Sequence, residues 1–187
     1  IPFNDTFAIA DLFPFCVPHG YAWNNQTKEF YEIDTVTAGI GFFLISPLDT
    51  VIAINGTREA TSITDTLYRG WNQIGNPFLY TVRFLDCELI DVYGHQWSMN
   101  EAIGRGSVLG TLFWWDPYDH CYRWEPRTQD VVMDPYMGYW IWVQDDSILL
   151  VPPPRVWTSQ ERRTSAGVPE NGWRTRLVAE IEGARSE

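Results

Sequence analysis

Two stretches of this chain carry the same pattern of apolar and polar positions. Residues 41–54 read GFFLISPLDTVIAI and residues 138–151 read GYWIWVQDDSILLV. Each has an aromatic and β-branched run, a short polar break and a second apolar run, which predicts strand, tight connection and strand. Gly41 aligns with Gly138, Phe42-Phe43 with Tyr139-Trp140, Asp49 with Asp146 and Val51 with Ile148, without a gap. Each segment therefore reads as a β-hairpin. Within the second copy Trp140 and Trp142 share one face, while Tyr139, Ile141 and Val143 share the other. Both faces are apolar, so this strand is expected to be central or covered on both sides. A glycine before a bulky pair, seen at Gly41 and Gly138, predicts positive φ or close backbone approach.

The repeat extends upstream. Trp23-Asn24 and Trp115-Asp116 each precede a Tyr, at Tyr31 and Tyr122, and Ile1-Pro2-Phe3 matches Asn76-Pro77-Phe78. A period of about 75 to 97 residues is too long for a solenoid and points to duplication of a small β unit. Phe7 to Ala10 and Tyr80 to Phe84 read as further short strands. Ser98-Met99-Asn100-Glu101 matches a capping box, so one short helix is expected from Ser98, ending at Gly104 or Gly106. Pro152-Pro153-Pro154 marks a boundary, because a proline triplet is stiff and donates no backbone hydrogen bond.

The expected organisation is all-β: a duplicated, sandwich-like β module with one short helix in the second copy and an extra C-terminal strand. Residues 1–67 form the first repeat, N-terminally incomplete, and 68–154 the second. Residues 155–171 read as a polar linker. Residues 172–187 carry the extra strand, either the start of a following domain or a donor to another sheet. Its alternation sets Trp173, Thr175, Leu177, Ala179 and Ile181 on one side. The second copy is preceded by GWNQIG and the first begins at its equivalent of the NPF segment, so the chain reads as a mature, clipped or excerpted product.

Composition adds compartment and partners. The 187 residues contain 10 Trp and 16% aromatics, enough for a substantial core. A net charge of −11 disfavours nucleic acid, which needs a basic surface. No apolar run reaches membrane-spanning length. Cys16, Cys87 and Cys121 are far apart, without metal-type spacing, and read as buried small side chains or as one disulfide plus a free thiol. Asn4, Asn25 and Asn55 head glycosylation sequons at expected turns.

Catalytic chemistry finds little footing. His19, His95 and His120 lie outside any metal-binding spacing and read as turn residues. The many Asp and Glu sit mostly at turns, where they shape backbone. Asp116 to Asp119 resembles a calcium loop only weakly. No catalytic residue, metal or cofactor is expected. The Trp wealth offers one binding reading: Trp114, Trp115, Trp124, Trp140 and Trp142 as a platform for sugar rings, set against ordinary core packing.

The order GWNQIGNPF, SMNEAI, WWDPYDHCYRW, DPYMGYWIWV and SILLVPPP resembles a module of large secreted or surface-exposed bacterial proteins that precedes immunoglobulin-like and C-terminal sorting domains. The likeness spans roughly residues 8–57 and 68–181. It implies an extracellular, non-enzymatic structural or adhesive component, with neighbouring domains or further copies as partners. An open sheet edge and an orphan strand together leave two solutions: strand donation between subunits, hence a filament, or a strand that folds back within its own chain or belongs to a following domain. The alternative is a carbohydrate-binding module.

Overall fold

The computed structural model describes residues 5–14, 16, 19–47, 50–55, 62–125, 131–146, 148–151 and 172–177. The class is all-β. The first repeat contains β1 (Phe7–Ala8), α1 (Ile9–Leu12), β2 (Gly20–Asn24), β3 (Glu29–Ile33), β4 (Thr35–Val36), β5 (Phe43–Leu44) and β6 (Thr50–Asn55). There follow β7 (Asp65–Leu67), β8 (Gly70–Gly75), β9 (Val82–Arg83), a 3-10 turn (Phe84–Asp86), β10 (Glu88–Ile90), β11 (Gln96–Ser98) and α2 (Met99–Gly104). The rest comprises β12 (Leu112–Asp116), β13 (Cys121–Glu125), β14 (Val132–Met133), β15 (Gly138–Val143), β16 (Ile148–Val151) and β17 (Gly172–Leu177).

The duplication is visible in the strand pairing. The order β3-β2-β5 in the first repeat matches β13-β12-β15 in the second. Register matches too: Tyr21 pairs with Phe43, and Phe113 with Trp140. The small ladder β1-β4 corresponds to β9-β14. Even the hairpin tips agree. Asn24 Oδ1 accepts from the backbone N–H of Gln26 and Thr27, and Asp116 Oδ1 from that of Tyr118 and Asp119. Each tip then closes through a left-handed residue, Lys28 at φ 60° and His120 at φ 48°. Trp23 pairs across its hairpin with Phe30, and Trp115 with Tyr122, so Phe30 rather than Tyr31 is the counterpart of Tyr122.

Three sequence expectations change. The segments 41–54 and 138–151 are not hairpins. β15 is flanked by β12 and β8, whereas β16 lies between β10 and β7 in another sheet. Both edges of β15 are taken, so the chain leaves its sheet after Val143 instead of folding back. The backbone N–H of Gln144, just beyond that strand, bonds to the Ser107 carbonyl at 2.8 Å. Likewise β5 pairs with β2 and β6 with β17. Second, Ile9, Ala10 and Phe84, expected at the ends of extended strands, instead begin the helical turns Ile9–Leu12 and Phe84–Asp86. Their two-residue ladders give out, and the backbone is satisfied locally, as in Phe13 N–H to Ile9 O and Cys87 N–H to Phe84 O. Third, Gly138 has open space where a Cβ would stand, whereas a Cβ on Gly41 would lie 2.6 Å from the Ile74 carbonyl oxygen.

Other expectations stand as read. β15 is a central strand, with Tyr139, Ile141 and Val143 buried. The helix at Ser98 forms with its capping box: Ser98 Oγ accepts from Glu101 N–H, and Glu101 accepts in return from Ser98 N–H. The larger core gathers Leu67, Ile74, Phe78, Phe84, Leu89, Met99, Leu112, Met133, Tyr139 and Ile141. A smaller one in the first repeat centres on Ile9, Phe13 and Val36. The linker 155–171 and the Pro152-Pro153-Pro154 triplet lie outside the described residues.

The two repeats meet at β8. Its edge away from β15 touches the first repeat through the Ile40–Ile74 bridge and a hydrogen bond from Gly75 N–H to Gly39 O at 2.7 Å. Trp23 anchors the contact, donating from its backbone N–H to Gln73 Oε1 and from its indole to Trp71 O.

Candidate functional site

Two clefts open where the repeats meet, one on each face of the β2–β3 hairpin. Alternation puts Trp23 and Phe30 on one face, and Ala22 and Tyr31 on the other.

The first cleft, of about 380 Å³, is walled by Trp23, Phe30, Trp71, Phe113, Tyr122 and Trp140. Its rings hold one another edge to face. Trp23 meets Phe30 at 5.1 Å and Trp140 at 5.5 Å, and Trp71 meets Phe113 at 5.2 Å. Such offsets match the positive edge of one ring with the negative face of the next. The lining is almost wholly apolar, so it offers little to hydrogen-bond a hydroxylated ligand.

The second cleft, also about 380 Å³, is mixed. Tyr31, Tyr68 and Trp23 border it beside Asp65, Thr66 and Gln26. Nearby amides are already engaged. Asn25 Nδ2 donates to the Tyr68 and Trp71 carbonyls, and Asn72 bonds to Tyr68 and Gly70 backbone. Asp65 stands apart. Burial pushes its carboxyl up to about 6, and a hydrogen bond from the Thr66 backbone only partly offsets this.

The sequence-derived platform is split. Trp114 points to the core and packs edge-on against Tyr139. Trp115, Trp124, Trp140 and Trp142 fall on the opposite face by strand alternation and register. Trp124 is 57% exposed there, whereas Trp140 is partly covered by Trp23, Phe30 and Phe43. Trp23 was aligned with Trp115 in sequence, and that equivalence was the available signal for the first cleft. Nothing in sequence singles out Asp65.

Of the assembly strand, Trp173, Thr175 and Leu177 lie in β17, which pairs antiparallel with β6 of its own chain: Trp173 faces Ile54, Thr175 faces Ile52 and Leu177 faces Thr50. Ala179 and Ile181 lie outside the described residues.

The remaining candidates engage neighbouring groups as follows. In the GWNQIGNPF segment, Asn76 is buried. It donates to the Tyr80 and Met133 carbonyls and accepts from Phe78 N–H. Asp116 and Asp119 both engage Arg123. No group of three or more His, Cys, Asp or Glu gathers as a metal site among the described residues. His19 pairs with Asp34 and His95 with Asp91. Partial desolvation would raise the Asp91 carboxyl, but hydrogen bonds from His95, Tyr93 and Trp97 outweigh it and hold the group down at about 2. The three cysteines are unpaired. Asn25, one of the sequon residues, is buried with its amide donating inward, which opposes glycan attachment in the folded state. No helix among the described residues is long and apolar enough to cross a membrane.

No family model, curated protein or solved structure matches this chain.

Proposed function

We propose that this chain is an extracellular structural or adhesive surface component whose copies join by β-strand exchange. The observation that carries the reading is the β17–β6 ladder, six residue pairs from Gly172–Asn55 to Leu177–Thr50. β16 is flanked by β10 and β7, whereas its repeat counterpart β6 pairs only with β17 among the described residues. A strand distant in sequence that completes such an edge supplies main-chain hydrogen bonds in either setting, from its own chain or from a neighbour. Donation to the next copy is head-to-tail and grows a filament. The extracellular placement and non-enzymatic role rest on the resemblance of the motif order. The partners are further copies or neighbouring domains.

Deleting residues 155–187 tests the reading. The full chain should form assemblies visible by light scattering and electron microscopy, and the truncated chain should be monomeric. Unchanged assembly after truncation would refute strand donation.

A second reading, carbohydrate binding, is favoured by the exposed aromatic face around Trp115 and Trp124 and, separately, by the mixed cleft between the repeats. Saturable quenching of tryptophan fluorescence by polysaccharide supports it. Its absence supports a scaffold alone.

A further inference from the structure

We infer that the mixed cleft between the repeats, bordered by Tyr31, Tyr68 and Trp23 and containing Asp65, binds one or two rings of a neutral oligosaccharide. The inference rests on the carbohydrate reading above and assigns it a site other than the tryptophan platform.

Chemistry separates the two clefts. A sugar ring presents apolar C–H faces and a rim of hydroxyl groups. It therefore needs aromatic walls and hydrogen-bonding groups in the same place. The aromatic cleft provides walls alone. The mixed cleft provides both, at a volume of about 380 Å³, within the usual range for small-molecule sites. Tyr31 and Tyr68 are half-exposed at its border, so their rings are open to contact.

Asp65 is the second element. A mostly buried carboxyl is costly unless donors meet it. The Thr66 backbone N–H favours its charged form, and no side chain donates to it among the described residues. Two hydroxyl groups on adjacent sugar carbons would donate to it in place of solvent. Thr66 and Gln26 line the same cleft and likewise make no side-chain hydrogen bond among the described residues.

Charge selects the class of sugar. The ionised Asp65 and a net charge of −11 repel uronate and sulfate groups. The site therefore takes neutral rings. Placed between the repeats, it also explains how a duplicated scaffold acquires one site rather than two: Asp65 and Tyr31 come from the first copy, and Tyr68 from the start of the second.

The test is tryptophan fluorescence titration of the full chain, since Trp23 borders the cleft. The probes are the β-1,4-linked trisaccharides of glucose, xylose, mannose and N-acetylglucosamine, with the trisaccharide of galacturonate as acidic control. At least one neutral probe should saturate the signal, and the acidic one should not. Asp65→Asn should weaken binding about tenfold or more, the usual cost of losing a charged hydrogen-bond partner, while raising the melting temperature at pH 7.5. Tyr31→Ala should weaken it comparably, and Trp124→Ala should leave it unchanged. Binding that survives both Asp65→Asn and Tyr31→Ala but is lost in Trp124→Ala overturns the cleft and leaves the carbohydrate reading on the outer sheet face. No binding of any probe overturns both. Equal binding of the acidic probe overturns the assignment to neutral sugars.

Discussion

Trp23 and Trp140 meet edge to face, with ring centroids 5.5 Å apart and an interplanar angle of 74°, and each comes from a different copy of the repeat. Phe30 and Phe43 close on the same Trp140 ring. The cluster joins the copies, so truncation should cost more than one ring's own burial. Trp140→Ala is expected to destabilise by about 3 kcal/mol. A double-mutant cycle with Trp23→Ala should give a coupling of about 0.5–1.5 kcal/mol. Additive urea-denaturation energies would mean that the rings do not interact in solution.

Gly41 carries the close approach that the repeat pattern assigned equally to Gly138. A Cβ there would stand 2.6 Å from Ile74 O and 2.8 Å from the Ile74 carbonyl carbon, both backbone atoms that cannot rotate away. Gly41→Ala should cost roughly 1–3 kcal/mol through overpacking, whereas Gly138→Ala should fall within about 0.5 kcal/mol of the parent. Equal melting temperatures for the two variants would contradict this.

The hydrophobic pattern made the class of the fold legible, along with the repeat, the central position of β15 and the capped helix at Ser98. These follow from local rules: alternation, turn chemistry and capping. Which strand pairs with which was not legible. The segments at 41–54 and 138–151 look like hairpins because a short polar break joins two apolar runs, yet β15 already has a partner on each edge. Edge occupancy depends on distant segments and leaves no local mark. The same reason hid Asp65, whose environment is assembled from β7, the β2–β3 hairpin and β8. Trp114 and Trp115 are adjacent and chemically alike, and only the register fixed which one faces the core.

Asp65 makes stability depend on pH. Burial raises its carboxyl from the ordinary 3.8 to about 6 in the fold. The folded state then holds this proton more tightly than the unfolded chain does. Stability therefore falls as pH rises from about 4 to about 6 and stays lowered above that. Asp65→Asn should be more stable than the parent by about 2–3 kcal/mol at pH 7.5, with the difference vanishing below about pH 4. A difference that is the same at both pH values would show that the carboxyl is not desolvated.

Cysteine reactivity should divide by burial. Cys87 is 1% exposed, and burial, with Asp86 and Glu88 adding to it, pushes its thiol up to about 12. A thiol so protonated is a poor nucleophile. Cys16 and Cys121 are partly exposed and unpaired. A disulfide-exchange reagent should label these two in the native protein and Cys87 only on unfolding. Labelling of all three at one rate in the native state would contradict the packing around Cys87.

The central claim concerns where β17 finds its partner, and a register-directed cross-link tests it most directly. Ile52 and Thr175 are cross-strand partners in the β6–β17 ladder, a separation suited to a disulfide. The double variant Ile52→Cys/Thr175→Cys would be oxidised with Cys16 and Cys121 changed to Ser and the buried Cys87 retained. Strand exchange between copies predicts a ladder of disulfide-linked oligomers on a non-reducing gel, collapsing to one band on reduction. A product that runs only as cross-linked monomer at every protein concentration would place β17 on its own chain and contradict the account.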